Sequence, residues 1–263
     1  MRSKRQALRV EERPYDILLA TLDRPEVANA FDTSLALELC ELFERFQAEQ
    51  RCRCIVITGA GDRAFCAGAD LKERNSQDDR QWRSQHETFE RMFRAVRDCP
   101  IPVIAAVNGA AYAGGLEIVL HCDFAYASIA ARFALTEVSL GIMPGGGGTQ
   151  TLPRIVGERR AKELVLAARA FSADEALAWG LVNKLCEPGT VVQEALQSAE
   201  RIAALAPLAV RQAKRAIHVG LDRDLVSGMQ LEIEAYNRLV GTEDRKEGLH
   251  AFNEKRKPKF KGR

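Results

Sequence analysis

Two glutamates beside glycine-rich segments are the residues whose types and spacing best fit proton chemistry. Glu117 lies two residues past the small-residue run 113–115, and Glu137 lies shortly before the loop 141–148. Glycine lets the backbone approach a ligand closely, and a carboxylate within hydrogen-bond reach can take or give a proton. The pair therefore predicts an acid and a base.

Small residues also form two turns that could expose backbone N–H groups. The segment 65–70 follows a predicted strand, and the segment 113–117 is predicted to open a helix after another strand. Two free N–H groups aimed at one acceptor atom would form an oxyanion hole, and a helix N-terminus adds a favourable dipole. Alternatively, each glycine only permits a tight turn between packed elements. The two nearby glutamates favour the functional interpretation.

No nucleophilic, phosphate-binding or metal-binding pattern competes with this interpretation. His121 falls within or at the end of the helix that carries Glu117, the other three histidines fall on predicted helices, and none has the setting of a nucleophile elbow. The glycine run 145–148 is not followed by Lys-Ser or Lys-Thr, as a P-loop requires. Cys52 and Cys54 lack a second pair at zinc spacing, so we interpret both as packing residues and expect no metal.

Composition predicts a globular protein with mixed surface charge. The 263 residues are 46% hydrophobic, enough for a sizeable core, and 38 Lys+Arg against 36 Asp+Glu leave a net charge of +2. The first thirteen residues are charged and contain no signal-peptide stretch, and no run approaches a membrane span. An odd count of seven cysteines favours reduced thiols. We therefore expect a soluble, unexported, cytoplasmic protein.

Hydrophobic periodicity predicts an α/β chain in which strands alternate with helices. Asp32 or Thr33 caps a helix with apolar residues at three- and four-residue steps. A second amphipathic helix runs from Trp82 to Val96, and we expect it to form the mobile wall of a pocket. Short apolar runs predict strands at 16–22, 52–58, 103–107 and 181–185.

The last third of the chain is predicted to be mostly helical. Residues 172–175 form a capping box, Pro207 opens a helix that ends near Gly220, and two more helices follow around Leu231 and Phe252. A soft boundary near 190–206 divides the chain into a core at 1–195 and a C-terminal helical region at 196–263.

Several motifs in one order resemble the enoyl-CoA hydratase (crotonase) family over nearly the whole chain. The resemblance is specific because the motifs are separate and occur in the family's sequence order. They are Arg24-Pro25 with Asn29-Ala30, AFCAGADLKE at 64–73, PVIAAVNG at 102–109, GGLE at 114–117, LTEVSLGIMPGGGGTQTLPR at 135–154 and TEDRKEGLHAFNEKRKPKFKG at 242–262.

The resemblance implies a superhelix of repeated ββα units with a C-terminal helical trimerisation region, assembled as trimers that usually pair into hexamers. It implies that the N–H groups of Ala69 and Gly114 hold the thioester oxygen and that Gly145 helps to orient water. Glu117 would deprotonate the water that attacks C3, and Glu137 would deliver a proton to C2. Coenzyme A would enter as part of the substrate, so we expect no separate cofactor.

The resemblance also implies a strip of coenzyme A contacts and one cation supplied by a neighbouring subunit. Lys255 is that cation, and it belongs to a basic tail that could equally be a solvated terminus. The contact strip comprises Arg63, Ala67, Ala69, Asp70 and Leu71.

Two details of the motifs bear on the choice of acyl group and on possible RNA binding. Tyr112 stands where many relatives have a smaller residue, so it could be packing, could narrow the acyl pocket or could form a hydrogen bond with a polar acyl group. AGADLKER and IMPGGGGTQ are most similar to methylglutaconyl-CoA hydratases, some of which bind RNA. The helix of this chain that matches the lysine-rich helix of the RNA-binding relative is 32–50, and Arg45 is its only basic residue. It therefore gives little support to nucleic-acid binding.

Three functions remain open at this point. The first is hydration of a short or branched 2-enoyl-CoA to a 3-hydroxyacyl-CoA. The second is a sister reaction of the same fold, such as an isomerase or a lyase acting on another acyl-CoA. The third is a non-catalytic or RNA-binding homologue, for which the two carboxylates would be dispensable.

Overall fold

The strands of this chain are short, and several of them are buried along their whole length. The structure is a computed structural model, and it describes residues 6–49 and 51–263. In chain order the strands are β1 (Leu8–Arg13), β2 (Ile17–Leu22), β3 (Cys54–Gly59), β4 (Ala64–Cys66), β5 (Val103–Val107), β6 (Ala110–Tyr112), β7 (Phe124–Ser128), β8 (Arg132–Ala134), β9 (Phe171–Ser172) and β10 (Lys184–Cys186).

The helices lie between these strands and then follow them without further strands in the described part of the chain. In chain order they are α1 (Thr33–Glu44), α2 (Leu71–Asn75), α3 (Asp79–Arg97), α4 (Gly114–His121), α5 (Gly148–Val156), α6 (Glu158–Leu166), α7 (Ala173–Ala178), α8 (Val191–Ala203), α9 (Pro207–Gly220), α10 (Leu225–Asn237) and α11 (Glu243–Asn253). Short 3-10 turns occupy Pro14–Asp16, Pro25–Val27, Arg45–Gln47 and Glu137–Leu140.

From β3 to β8, the two strands of each consecutive pair belong to two different sheets. Within the described residues one sheet has the order β1-β2-β3-β5-β7-β10 and the other the order β4-β6-β8-β9. The pairs β3–β4, β5–β6 and β7–β8 each give one strand to each sheet before the chain turns into helices, and neighbouring repeats pair in parallel. This is the repeated ββα superhelix that the family resemblance implies.

Apolar side chains on the two faces of the larger sheet belong to two clusters. Ile55 and Ile57 of β3 face the interior that α1, α3 and α4 cover, whereas Cys54 and Val56 face α8. Alternation of this kind follows from the period of two along a strand. Cys52 and Cys54 are both buried, and they pack into different clusters.

The C-terminal helical region begins later than expected. Helix α8 packs on the larger sheet through Val191, Ala195 and Ala199, so the predicted boundary between residues 195 and 196 falls inside a core helix. The helices that stand off the sheet begin at Pro207. None of the helices within residues 6–49 and 51–263 combines the length and the hydropathy needed to cross a membrane.

Candidate active site

Glu117 lies in the first turn of α4, and its carboxylate accepts hydrogen bonds at the start of α5. Its Oε1 accepts the N–H groups of Gly146 and Gly148, each at 2.8 Å, and the residue is only 3% exposed. Gly148 is the first residue of α5, whose cap residue Gly147 supplies no side chain. A carboxylate from α4 therefore satisfies free N–H groups at the N-terminus of α5.

Opposing influences set the acidity of Glu117. Burial raises the pKa of its carboxyl to about 7, the charge of Glu137 adds to this rise, and the two N–H groups from Gly148 and Gly146 work against it. The group therefore changes its protonation state near neutral pH, which suits general acid–base catalysis.

Glu137 is the second buried carboxyl of the site. It opens the 3-10 turn Glu137–Leu140 after β8, and Gly141 ends the turn with a φ of +74°. The residue is 7% exposed, its pKa is raised by burial, and its Oε2 is enclosed with no hydrogen-bond partner among the described residues. A buried carboxyl oxygen that the protein leaves open is available to a substrate or to water.

Two backbone N–H groups are also open, at Ala69 and Gly114. The Phe31 N–H donates to the Gly68 carbonyl at 2.9 Å, and the Phe31 carbonyl accepts from the Asp70 N–H at 2.8 Å. The N–H of Ala69, which lies between these two residues, bonds to no described residue. Gly114 is the first residue of α4, so its N–H has no partner within the helix.

The two open N–H groups belong to segments in close contact. Gly68 has a φ of +96°, and a Cβ added there would lie 3.1 Å from the Gly114 nitrogen. A Cβ added to Gly114 would lie 2.7 Å from the Phe31 ring. Glycine at both positions therefore permits the approach that a shared acceptor oxygen needs.

The loop between Glu137 and α5 is held by aromatic and imidazole rings. A Cβ on Gly145 would lie 2.6 Å from the His86 ring, and one on Gly146 would lie 2.3 Å from the Phe93 ring. His121 Nε2 lies 2.6 Å from the Gly146 carbonyl oxygen, consistent with a ring N–H that donates to it. Helices α3 and α4 thus fix the position of Gly145, the residue expected to orient water.

His121 is a site residue that the sequence analysis placed on the helix but did not assign a role. Burial lowers the pKa of its imidazole, and its Nδ1 is enclosed without a partner among the described residues. Its signal was present in the sequence, because residues 117 and 121 are four apart and share one face of a helix. His86 and Phe93 reach the loop by long-range packing, for which the sequence has no local signal.

The residues expected to contact coenzyme A differ in their exposure and in their bonding partners. Asp70 caps α2 by accepting the Lys72 N–H at 3.0 Å, and it forms an ion pair with Arg24 at 2.9 Å, so its carboxylate is occupied within the fold. Arg63, Ala67 and Leu71 are exposed.

Lys255 lies in the segment that follows the last helix. It follows α11 with a φ of +54°, is exposed, and its side chain forms no ion pair or hydrogen bond with a described residue. Tyr112 ends β6 and is half-buried, directly before the open turn at Ala113.

The donor set of this site does not suit a metal. Among the described residues no three His, Cys, Asp or Glu side chains lie together as ligands. The chemistry available is that of two carboxyls, two backbone N–H groups and a glycine loop.

Comparisons with known proteins find relatives over nearly the whole chain. The family model described as enoyl-CoA hydratase/isomerase matches residues 12–263. The short-chain-enoyl-CoA hydratase of Clostridium acetobutylicum is 39% identical over 246 residues, covering 94% of each chain. The mitochondrial methylglutaconyl-CoA hydratase of Homo sapiens is 37% identical over 257 residues, covering 96% of this chain and 76% of that one. The crystal structure of an enoyl-CoA hydratase from Bacillus anthracis superposes with a TM-score of 0.96 at 43% identity, over 98% of this chain and all of the other.

Proposed function

This chain belongs to the enoyl-CoA hydratase/isomerase family as an enoyl-CoA hydratase, and we propose that Glu117 and Glu137 carry out the proton transfers of its reaction. The substrate is a short or branched 2-enoyl-CoA, and water adds across its C2–C3 double bond. The observation that carries the proposal is the fixed Glu117 carboxyl, which titrates near neutral pH beside the unpaired oxygen of Glu137.

The N–H groups of Ala69 and Gly114 stabilise the charge that develops on the thioester oxygen. Addition of water at C3 gives an enolate-like state in which this oxygen becomes negative. Donors already in place cost no reorganisation, and removing one such donor typically raises a barrier by around 3 kcal/mol. The absence of other acceptors for these two N–H groups among the described residues supports this role.

Glu117 acts as the base, and Glu137 acts as the acid. Oε1 of Glu117 is held by two N–H groups, which favour the ionised form and leave Oε2 to take a proton from water. Glu137 has a pKa raised by burial, as a carboxyl that donates a proton to C2 requires. The charge of Glu137 contributes to the raised pKa of Glu117, and we propose that the two groups titrate as a coupled pair.

A direct assay tests the reaction class. The purified protein should remove the conjugated absorbance of crotonyl-CoA and give a product heavier by one water molecule. An isomerase would instead move the double bond without a change in mass, and a lyase would release a fragment. If no 2-enoyl-CoA in a panel of chain lengths is hydrated, the proposed function is wrong.

Coenzyme A binding along Arg63, Ala67, Ala69, Asp70 and Leu71 is part of the proposal, with Lys255 contributed by a neighbouring subunit. Asp70 would contact coenzyme A through its backbone, since its carboxylate binds Arg24. A Lys255→Ala variant should raise KM for acyl-CoA with little change in kcat. Coenzyme A enters with the substrate, and we propose that the enzyme needs no further cofactor.

The apolar surface of the C-terminal helices supports a homotrimer, which could pair into a hexamer. Leu221 and Leu225, at the turn between α9 and α10, are 81% and 79% exposed, and Phe252 of α11 is 82% exposed. Burying such side chains against a second copy removes apolar area from water. Sedimentation should give three or six times the chain mass of 29.1 kDa, and a monomer at micromolar concentration would contradict the proposal.

The acyl group and the compartment also belong to the proposal. Relatives named for short-chain and for methylglutaconyl substrates leave a linear or a branched acyl chain open. Helix α1 contains no Lys or Arg, so no observation favours RNA binding. The cytoplasmic location stays a prediction, which cell fractionation would test.

A further inference from the structure

Arg24 belongs to the motif of Arg24-Pro25 and Asn29-Ala30, to which the proposed reaction assigns no role. Its guanidinium is partly buried and binds two segments of the chain at once. Nη1 donates to the Ala30 carbonyl at 2.6 Å, and Nη2 donates to the Asp70 carboxylate at 2.9 Å. One side chain therefore links the motif to the turn that carries the first of the two open N–H groups.

The two segments that Arg24 links also pair through their backbones, over residues 28–31 and 67–70. Backbone hydrogen bonds of 2.8–3.1 Å join them, and Phe31 bonds to the residues on either side of Ala69. Short paired segments are marginal without further support. The two bonds of the guanidinium supply such support, because they hold one segment against the other.

This pairing sets the direction of the Ala69 N–H. In a trans peptide the carbonyl and the N–H of one peptide group point in opposite directions. The Gly68 carbonyl shares its peptide group with the Ala69 N–H, and the Phe31 N–H holds that carbonyl at 2.9 Å. The Ala69 N–H therefore points away from Phe31. The same hydrogen bond polarises the peptide group and strengthens its open donor.

The second open donor, the Gly114 N–H, is directed by its own helix. The Ala113 carbonyl, which shares its peptide group, accepts the Glu117 N–H at 3.1 Å in the first turn of α4. The partner that directs the Ala69 N–H belongs instead to a distant part of the sequence. Its direction depends on how well residues 28–31 are held against residues 67–70.

The guanidinium also joins the caps of the two helices that follow these segments. Asp32 caps α1 by accepting the Leu35 N–H at 2.8 Å, and Asp70 caps α2 by accepting the Lys72 N–H at 3.0 Å. Arg24 Nη2 lies 3.2 Å from the other carboxylate oxygen of Asp32 and 2.9 Å from that of Asp70. One cation between two carboxylates therefore fixes the starts of α1 and α2 relative to each other.

We propose that Arg24 is a positioning residue for the oxyanion hole, because it holds the Ala69 N–H in the direction that the thioester oxygen requires. This inference rests on the role proposed for Ala69 in the hydratase reaction. Arg24 acts through the backbone of residues 67–70 and not by contact with the reacting atoms. A lysine would keep the charge, but it lacks the planar set of donors that reaches Ala30 and Asp70 together.

Kinetics on crotonyl-CoA give the first test. Arg24→Met should lower kcat about ten- to hundredfold, the range for a displaced or lost oxyanion donor, with a smaller change in KM. Arg24→Lys should recover part of the loss. Arg91→Met is the matched control, since it removes an exposed arginine that binds both oxygens of Glu44, and it should match the wild type. Thermal unfolding verifies that each variant is folded at the assay temperature.

The carbonyl stretching frequency of bound butyryl-CoA gives a readout that a purely structural role would not change. This saturated thioester cannot be hydrated, and hydrogen bonds to its carbonyl lower the frequency. With ¹³C at the thioester carbonyl, infrared difference spectra should show a lowered frequency in the wild type and in Arg91→Met. Arg24→Met should return the band toward the frequency of the free ligand, and Arg24→Lys should lie between them.

The outcomes separate this proposal from the hydratase function. A wild-type carbonyl frequency in Arg24→Met, or a loss of activity confined to KM, would overturn the role of Arg24 while leaving the hydratase function intact. If Arg24→Met does not fold, the same comparison between Arg24→Lys and the wild type decides. An unshifted carbonyl frequency in the wild type would contradict the oxyanion hole itself, and the role of Arg24 would fail with it.

Discussion

Glu117 is the residue at which the demands of folding and of catalysis conflict. Its burial makes ionisation costly, and the two N–H groups that bind Oε1 recover only part of that cost, so the pKa of the carboxyl rises from 4.5 to about 7. A carboxyl with an ordinary pKa would be too weak a base at neutral pH. The folded enzyme therefore gives up stability at neutral pH for a usable base.

This conflict predicts a pH-dependent gain in stability for Glu117→Gln. A raised folded-state pKa gives stability that is complete below about pH 4.5 and is lost as the pH rises through about 7. Wild-type stability should therefore fall over this range by roughly 3 kcal/mol, whereas the neutral variant should escape this loss. Thermal unfolding of both proteins at pH 5 and pH 8 measures the change in stability of each.

A matched exposed residue serves as the control for that experiment. Glu187→Gln changes the same functional group at the surface and should follow the wild type at both pH values. Parallel pH profiles for the wild type and Glu117→Gln would show that Glu117 is not the group with the raised pKa.

At the scale of elements, α4 determines the position of the glycine loop. It binds the loop twice from one face, through Glu117 to two N–H groups and through His121 to the Gly146 carbonyl oxygen. Rings of α3 also pack closely against the loop. Contacts from two helices therefore hold the loop beside Glu117, where we propose that water binds.

His121→Ala should lower kcat more than it raises KM, because the variant frees one side of the loop without removing a group that touches substrate. Small displacements at a reacting centre can cost up to about a hundredfold in rate. His121→Gln, whose amide can donate to the Gly146 carbonyl, should recover part of the loss. An unchanged kcat in His121→Ala would show that the hydrogen bond does not position the loop.

Local signals in the sequence predicted many of the elements. The Asp32 cap of α1, the capping box at Ser172 and the helix Pro207–Gly220 are all present, because each depends on neighbouring residues. Strand β1 was not predicted, since its charged, mostly exposed residues lack the apolar alternation of a half-buried strand. Strand β10 begins three residues late, because the Leu181 N–H bonds back to the Ala176 carbonyl and continues the end of α7.

The site was predicted to the extent that motif residues carry it. The positions of Glu117, Glu137, Ala69 and Gly114 followed from motifs, and their catalytic roles stay predictions. The contacts of Phe93 with the loop and the ion pair of Arg24 with Asp70 depend on segments packing across long sequence distances, which no local pattern encodes. The expected mobility of α3 also stays a prediction.

At the scale of the whole molecule, the C-terminal helices attach to the core through a few cationic side chains. Lys214 of α9 binds Asp123 at 2.7 Å and the Ile101 carbonyl at 2.9 Å, next to strands of the larger sheet. Arg211 of the same helix donates to the carbonyls of Glu49 and Cys52. These contacts set the orientation of the apolar surface proposed for assembly.

Lys214→Met should therefore destabilise the protein by about 1–3 kcal/mol, because it leaves the partly buried Asp123 carboxylate without its cation. Urea unfolding measures this difference. Lys184→Met provides the control, since its ion pair with Glu194 is more exposed and should contribute less to stability than that of Lys214. Equal losses in both variants would contradict a special role for Lys214 in docking.

Crotonyl-CoA hydration by Glu117→Gln and Glu137→Gln, each beside Glu187→Gln, tests the central claim most directly. If the two buried carboxyls divide the proton transfers, each of the first two variants should lose about a hundred- to ten-thousandfold in kcat while still binding substrate, and the third should match the wild type. Turnover at the wild-type rate in both Glu117→Gln and Glu137→Gln would contradict the account.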